Sequence, residues 1–189
     1  DWLRDELSAL FENEIKSYCK NPWELRNSYV ELVNDRSPKT INEFFKKYVS
    51  ASLSSDEKTK IIRLLEMQKQ ALYMFTSCGW FFNDVSGIET TQILQYANRA
   101  IQLAEETTES ELNRFFKEKL SGIRSNITVY GTGEDIYARW VEPQRLSLTQ
   151  VGMHYAVNAL FEDEEKLITV LNYDCQSEVL ERQKAGDMI

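Results

Sequence analysis

The residues best suited to binding or catalysis are concentrated in one aromatic and polar stretch, residues 76–89. Trp80 and Phe81 lie in this stretch, followed by Asn83 and Asp84 and then by Glu89. Aromatic faces stack on the C–H groups of sugars, and carboxylate and amide groups beside them bind hydroxyls. These five residues are therefore the candidate substrate-binding residues, and the alternative from the same pattern is a hydrophobic plug that closes the end of a helical bundle.

Asp84 and Glu89 also define a catalytic interpretation. A retaining glycosidase needs two carboxyl groups about 5 Å apart across the sugar, and a helix cap and a first-turn residue are able to approach that separation. Both residues have structural roles as well, because Asp84 or Ser86 fits a helix cap and Glu89 fits its capping-box partner. We therefore predict no catalytic residue in this chain, and a stand-alone glycosidase using Asp84 and Glu89 is the less favoured alternative.

Motifs for metal ions, cofactors and nucleophiles are missing. His154 is the only histidine, and Cys19, Cys78 and Cys175 lie far apart, so neither a metal site nor a redox dithiol is predicted. The sequence contains no G-x-S-x-G elbow and no phosphate-binding G-K-S/T loop. We expect no metal and no cofactor, and scattered thiols are typical of a reducing, cytoplasmic compartment.

The charge balance argues against nucleic acid as a partner. The chain has 22 basic and 30 acidic side chains, a net charge of −8, and no basic cluster to release counterions from a phosphate backbone. No apolar stretch is long enough to span a bilayer, and the N-terminal residues do not resemble a signal peptide. Because the chain begins at Asp1 rather than Met, we expect it to be a piece of a longer protein.

Helix-start signals predict that helices position the aromatic stretch. Asn21 fits a helix cap, and Pro22 fits the first helical position, where its missing N–H costs no hydrogen bond. With only seven Gly and three Pro, the sequence has few sharp turns for an all-β fold. Capping boxes, in which a hydroxyl and a carboxylate lie three residues apart, begin at four positions: Thr40, Ser54, Ser86 and Thr108.

Apolar residues recur at helical spacing between these starts, which indicates buried helix faces. The aromatic stretch falls between the second and third of these stripes. In chain order the stripes are Leu3, Leu7, Leu10, Phe11 and Ile15; then Ile61, Leu64, Leu65, Leu72 and Phe75; then Leu94, Ala97, Ile101 and Ala104.

The last third of the chain has a mixed pattern. Residues 134–141 predict a short helix that ends before Pro143, a capping box at Ser147 predicts another, and residues 167–173 predict a β-strand. The predicted fold is therefore mostly α, a helical bundle with a small β-containing C-terminal segment. We divide it into a bundle over residues 1–125 and a mixed helix and strand appendage over residues 126–189, which we expect to be truncated from a longer C-terminal region.

Several blocks of the sequence resemble a known family. Residues 77–90, from Ser77 to Thr90, and residues 95–104 look like the domain that follows the catalytic barrel in bacterial family-57 glycoside hydrolases of the α-amylase and α-mannosidase-like type. Further blocks are similar to other parts of that domain: Asn21-Pro22-Trp23-Glu24, Asp135-Ile136-Tyr137 and His154-Tyr155-Ala156. The resemblance covers nearly the whole chain, and the aromatic stretch is its most specific part.

The resemblance implies that catalysis and substrate positioning belong to two different domains. In that family an upstream barrel, absent from this sequence, carries the nucleophilic Glu and the acid/base Asp, and a helical domain leans over the active-site mouth. The implied function is a non-catalytic accessory domain, inactive alone, in which residues 80–89 face the barrel or an α-glucan or other glycan. The parent would be a glycoside hydrolase or glucanotransferase. A ligand-free helical interaction module, with Trp80 and Phe81 pointing into the bundle, is the alternative.

Overall fold

The computed structural model describes residues 1–49, 52–81, 83–161, 169–170 and 173–175, and this part of the chain is mostly α-helical, as predicted. Short 3-10 segments lie at Ser77–Trp80, Thr128–Tyr130 and Glu142–Gln144, and a π-helical turn lies at Tyr137–Val141. The α-helices are α1 (Trp2–Ile15), α2 (Pro22–Ser28), α3 (Val30–Asn34), α4 (Pro38–Tyr48), α5 (Ser55–Tyr73), α6 (Ile88–Thr107), α7 (Leu112–Ser121), α8 (Gly133–Ile136) and α9 (Leu148–Asn158). No helix within these ranges combines the length and the apolar character needed to cross a membrane.

Three of the predicted helix starts, at Asn21, Ser54 and Ser147, are confirmed by their side-chain caps. The Asn21 side chain accepts a hydrogen bond from the Glu24 N–H at 3.2 Å, with Pro22 in the first helical position of α2. The Ser54 hydroxyl accepts from the Glu57 N–H at 3.2 Å, and the Glu57 carboxylate accepts from the Ser54 N–H at 2.8 Å. The capping box predicted at Ser147 is also present at the start of α9. Such caps satisfy amides that the first helical turn leaves without partners.

The starts predicted at Thr40 and Thr108 are wrong by a few residues. Helix α4 begins at Pro38 with Ser37 as its cap, because proline presets the helical φ angle two residues before Thr40. Helix α6 continues to Thr107, and α7 begins at Leu112, where the carboxylate of Glu105 on α6 accepts from the Asn113 N–H at 2.8 Å. The first turn of α7 is therefore capped in part by Glu105 of the preceding helix, and not by Thr108 as the local pattern predicts.

The main core lies among α1, α5 and α6, and α5 and α6 form the most extensive helix pair. Most of the predicted stripes are buried there, but the predicted stripe on α5 is wrong at its end. Leu72 and Phe75 are exposed because Ala71 and Met74, on a different face of the chain, make the core contacts at the end of α5. The buried stripe residues are Leu3, Leu7, Phe11, Ile15, Ile61, Leu64, Leu65, Ala97, Ile101 and Ala104.

A second cluster of buried apolar side chains packs residues 126–145 against the helices of the bundle. Ile136, Tyr137 and Val141 are buried against Leu94 of α6 and Leu120 of α7. The chain accordingly forms two compact units, Asp1–Arg145 and Leu146–Ile189. Residues 134–141, where the sequence predicts a helix, form α8 and the π-helical turn, and they complete the core of the first unit. The first unit therefore extends past the predicted boundary at residue 125.

The predicted strand at residues 167–173 lies partly outside the described residues. Within the described part, Thr169–Val170 pairs antiparallel with Tyr173–Asp174, and Val170 is opposite Tyr173. This ladder has only two residues on each side. The β-containing C-terminal segment therefore stays a prediction.

Candidate functional site

The aromatic stretch forms the junction between α5 and α6. The chain leaves α5 at Tyr73, makes the 3-10 turn Ser77–Trp80 and reaches α6 at Ile88. Gly79 is required in this turn, because a Cβ at that position would overlap the side chain of Ile93 on α6. The 3-10 turn is thus held directly against the helix that follows it.

Asp84 anchors the junction to a distant loop. Its Oδ1 accepts from the Ser86 N–H at 2.8 Å and from the Ser125 hydroxyl at 3.0 Å, and its Oδ2 accepts from the Asn126 N–H at 2.5 Å. The Asn126 side chain also donates to the Asn83 carbonyl at 3.0 Å. These bonds tie the junction to the loop between α7 and α8, more than forty residues later in the chain.

The capping box predicted at Ser86 is wrong. The Ser86 hydroxyl donates to the Asp84 carboxylate at 2.5 Å, and Gly87 occupies the N-cap position of α6 without a side-chain cap. The Ser86 hydroxyl thus acts as a donor to a charged acceptor, the stronger kind of hydrogen bond, and no helix amide donates to it. Glu89 lies half-buried in the first turn of α6, where a negative charge is favourable to the helix dipole.

Hydrogen bonding stabilises the ionised form of Asp84. The Ser86 hydroxyl, the Ser86 N–H and the Asn126 N–H together lower the pKa of Asp84 to about 2. A general acid needs a pKa near the working pH. Asp84 is therefore an ionised structural anchor at neutral pH, with lone pairs already used within the protein, and this arrangement does not favour the catalytic pairing with Glu89.

We expect Asp84→Ala to free the loop at residues 123–131 from the junction. That loop should exchange its amide hydrogens faster, and the melting temperature should fall, because Ser86, Ser125 and Asn126 lose their common acceptor. The pKa of Asp84 in the folded state lies below its ordinary value of 3.8. The stabilisation that the Asp84 hydrogen bonds provide is therefore complete above pH 3.8 and is lost as the pH falls through about 2. The difference in melting temperature between wild type and variant should therefore shrink on acidification.

Asp84→Asn is the matched control, because it keeps an oxygen acceptor but loses the charge. Hydrogen–deuterium exchange followed by mass spectrometry should show intermediate protection of residues 123–131. Unchanged exchange in Asp84→Ala would contradict the anchoring role.

Exposed apolar side chains surround the Asp84 anchor on both chain segments. Phe81 and Ile88 are each 80% exposed on the junction, and Val129 is 76% exposed and Ile127 about half exposed on the loop. We call these four residues the junction patch. The ligand-free interaction module predicts that Phe81 points into the bundle, and its exposure shows that it does not. The Trp80 side chain and Phe82 lie outside the described part of the structure.

A polar cavity that the sequence analysis missed lies beside α7. It has a volume of about 470 Å³, and four Glu side chains outnumber Arg114 and Lys117 among its lining residues. Arg114 pairs with Glu111 at 2.8 Å and with Glu118 at 3.1 Å. The lining residues are Glu105, Ser110, Glu111, Asn113, Arg114, Lys117, Glu118 and Glu134. The local pattern does not reveal this cavity, because its residues look like an ordinary solvated helix face.

A buried hydrogen-bond network contacts two of these lining residues, Glu105 and Asn113. The Tyr137 hydroxyl donates to the Asn98 side-chain oxygen at 2.8 Å, and the Arg145 Nε donates to the same oxygen at 2.9 Å. Arg145 also pairs with Glu105 at 3.0 Å. Burial raises the pKa of the Tyr137 hydroxyl above its ordinary value, which keeps it protonated. The network is a structural support and contains no group poised for proton transfer at neutral pH.

The described residues do not provide a metal centre. Over the described ranges, no three His, Cys, Asp or Glu side chains are grouped so as to hold a metal ion.

A comparison with known families identifies the chain. The family model described as "Domain of unknown function (DUF3536)" matches residues 1–189, so the chain belongs to that family. No curated protein and no solved structure matches it.

Proposed function

We propose that this member of the DUF3536 family is a non-catalytic accessory domain of a cytoplasmic, family-57-like glycoside hydrolase or glucanotransferase. On this proposal, it forms one wall of a glycan cleft whose catalytic carboxylates belong to an upstream barrel of the same polypeptide. The sequence blocks that resemble that enzyme family motivate the link to glycans. The domain would act by positioning the glycan and excluding water, which lowers the barrier of a reaction carried out by the barrel.

The exposed ring of Phe81 is the observation that carries this proposal. Phe81 is 80% exposed and so is Ile88 on the same junction, and exposed apolar side chains that occur in a group are typical of interaction sites. The loop that carries it is held by Asp84, so the ring is presented from an anchored backbone. In the proposed cleft, Phe81 stacks on a sugar ring, the exposed Asn83 side chain binds hydroxyls, and Asp84 positions both.

Trp80 and Glu89 belong to the same proposed wall. Trp80 ends the 3-10 turn immediately before Phe81, and Glu89 lies in the first turn of α6. Their contacts with a glycan are part of the proposal and are tested together with Phe81.

The second candidate function is a helical module that binds a protein surface and no glycan. Ile88 and Val129 favour it, because exposed aliphatic side chains suit a protein contact and do not stack on sugars as aromatic rings do. Phe81 and Ile88 are equally exposed, so variants at these two positions separate the two candidate functions.

Phe81→Ala in the full-length protein should lower kcat/KM on the preferred glycan by up to about tenfold, the value of one lost stacking contact. Initial rates on a panel of α-glucans and α-mannans measure the effect. Phe81→Tyr should retain activity, because the ring is preserved. Trp80→Ala and Glu89→Gln, measured on the same panel, assign the neighbouring positions.

Ile88→Ser is the matched control for this experiment. If the domain binds a glycan, we expect Ile88→Ser to leave kcat/KM nearly unchanged. If it is a protein-binding module, we expect both Phe81→Ala and Ile88→Ser to weaken a protein contact and neither to alter glycan affinity. Full activity in Phe81→Ala, or release of sugar by residues 1–189 alone, would refute the accessory role at the junction.

A further inference from the structure

An apolar groove lies between the α2–α3 segment and the second half of α5. Its volume is about 300 Å³, which is at the small end of ordinary ligand pockets, about 300–1,000 Å³. Val30 and Leu72 are more than half exposed along it, and Val33 and Tyr73 are also exposed. Exposed apolar side chains grouped around a concave surface are typical of a binding site.

The α2–α3 wall of the groove changes from charged to apolar along one helix face. Arg26, Val30 and Val33 line this wall, and the backbone stays helical between them at Tyr29, with φ −58° and ψ −20°. Residues spaced by four and seven positions lie on one face of a helix. From Arg26 to Val33 this face therefore extends for about 10 Å, with the guanidinium at one end and aliphatic side chains at the other.

The charged end of this wall has a cation without an acidic partner, although the protein has a net charge of −8. In the described part of the chain, the groove lining includes no carboxylate and Arg26 forms no ion pair. Arg26 Nε and Nη2 instead donate to the Asn27 side-chain oxygen at 3.1 and 2.7 Å, and the guanidinium stacks 5.1 Å from the Trp23 ring centre. These contacts hold the guanidinium in place and leave Nη1 to a ligand.

The α5 wall does not supply the missing negative charge. Lys69 lines this wall and is paired with Glu66 at 2.6 Å. Glu66 also lies 3.4 Å from Arg36 and accepts from the Tyr29 hydroxyl at 2.8 Å. Because two cations already share this carboxylate, Glu66 is not available to neutralise Arg26.

We propose that this groove binds an amphipathic anion, an unbranched fatty acid, with its alkyl chain along Val30, Val33 and Leu72 and its carboxylate on Arg26. A guanidinium and a carboxylate form a charge-assisted hydrogen bond, which is stronger than a neutral one. The alkyl chain covers the exposed apolar side chains and removes their surface from water. A groove of this volume accommodates one chain, and the single unpaired cation accommodates one carboxylate. The groove shares no residue with the junction patch, so this site does not depend on the proposed glycan cleft.

Isothermal titration calorimetry of the full-length protein tests the site with octanoate, decanoate and dodecanoate, each below its micelle-forming concentration. We expect saturable binding of one ligand per chain. The affinity should rise about fourfold for each methylene that enters the groove, the value of burying one CH₂ group. Decanol has the chain of decanoate without its charge, and it should bind about tenfold more weakly, because a hydrogen bond to a charged group is lost.

Variants at the two ends of the groove separate the charged contact from the apolar one. Arg26→Gln should weaken decanoate binding about tenfold and leave decanol binding unchanged, and Arg26→Lys should retain most of the affinity for decanoate. Leu72→Ser should weaken the binding of both ligands. Because Leu72 is exposed, thermal unfolding of this variant should match that of the wild type.

Ile88→Ser is the matched control, since Ile88 is an exposed aliphatic residue outside the groove. It should leave the binding of decanoate and decanol unchanged. The absence of saturable decanoate binding, equal affinities for decanoate and decanol, or an unchanged decanoate affinity in either Arg26→Gln or Leu72→Ser would overturn the proposal.

Discussion

Tyr137→Ala should destabilise the first unit by about 3–5 kcal/mol, the usual range for removing a buried aromatic ring. The side chain is fully buried, and its ring packs edge-on against Phe116 with ring centres 5.4 Å apart. Removing the ring leaves a cavity within the second core cluster, and that cluster holds residues 126–145 to α6 and α7. Urea unfolding followed by circular dichroism measures the loss.

Tyr137→Phe separates the ring from its hydroxyl. We expect a cost of about 1 kcal/mol, the net value of an ordinary hydrogen bond. The cost stays low because Arg145 Nε continues to donate to the Asn98 oxygen after the hydroxyl is removed. Equal losses in the Ala and Phe variants would show that the hydroxyl network, and not ring packing, dominates this cluster.

Leu64→Ala should cost about 2–5 kcal/mol, whereas Leu72→Ala on the same helix should stay within about 0.5 kcal/mol. Leu64 is completely buried, while Leu72 is more than half exposed at the end of α5. Both residues belong to one stripe in the sequence, so the pair isolates the effect of burial from that of helix propensity. Urea unfolding followed by circular dichroism measures both losses, and comparable losses at the two sites would contradict the packing of α5.

Local patterns predicted the helices well where the controlling contacts are local. The caps at Asn21 and Ser54 depend on groups three residues away, and such groups are visible in the sequence. The start of α7 could not be predicted in this way, because its first amides are satisfied in part by Glu105, a side chain of the preceding helix. The end of the α5 stripe was missed because Ala71 and Met74 are the buried residues there, and the spacing of apolar residues does not show which of two neighbouring faces meets the core.

The sequence located the junction between two helices, whereas the contacts made by its residues came only from the folded structure. The run of aromatic and polar residues marked the junction correctly, and Phe81 is exposed there. Asp84 looked like a ligand, a cap or a catalytic carboxylate. Its partners Ser125 and Asn126 lie more than forty residues away, so only the folded chain reveals it as an anchor with a lowered pKa.

The amino-acid sequence alone determined the helical class and the location of the aromatic junction. These features arise from spacing over a few residues, which side-chain chemistry and helix periodicity control directly. Tertiary structure alone decided that Asp84 ties two loops together, that residues 126–145 complete the bundle, and that Leu72 faces outward. Each of these depends on which distant segments meet, and that choice is made by the packing of the whole core.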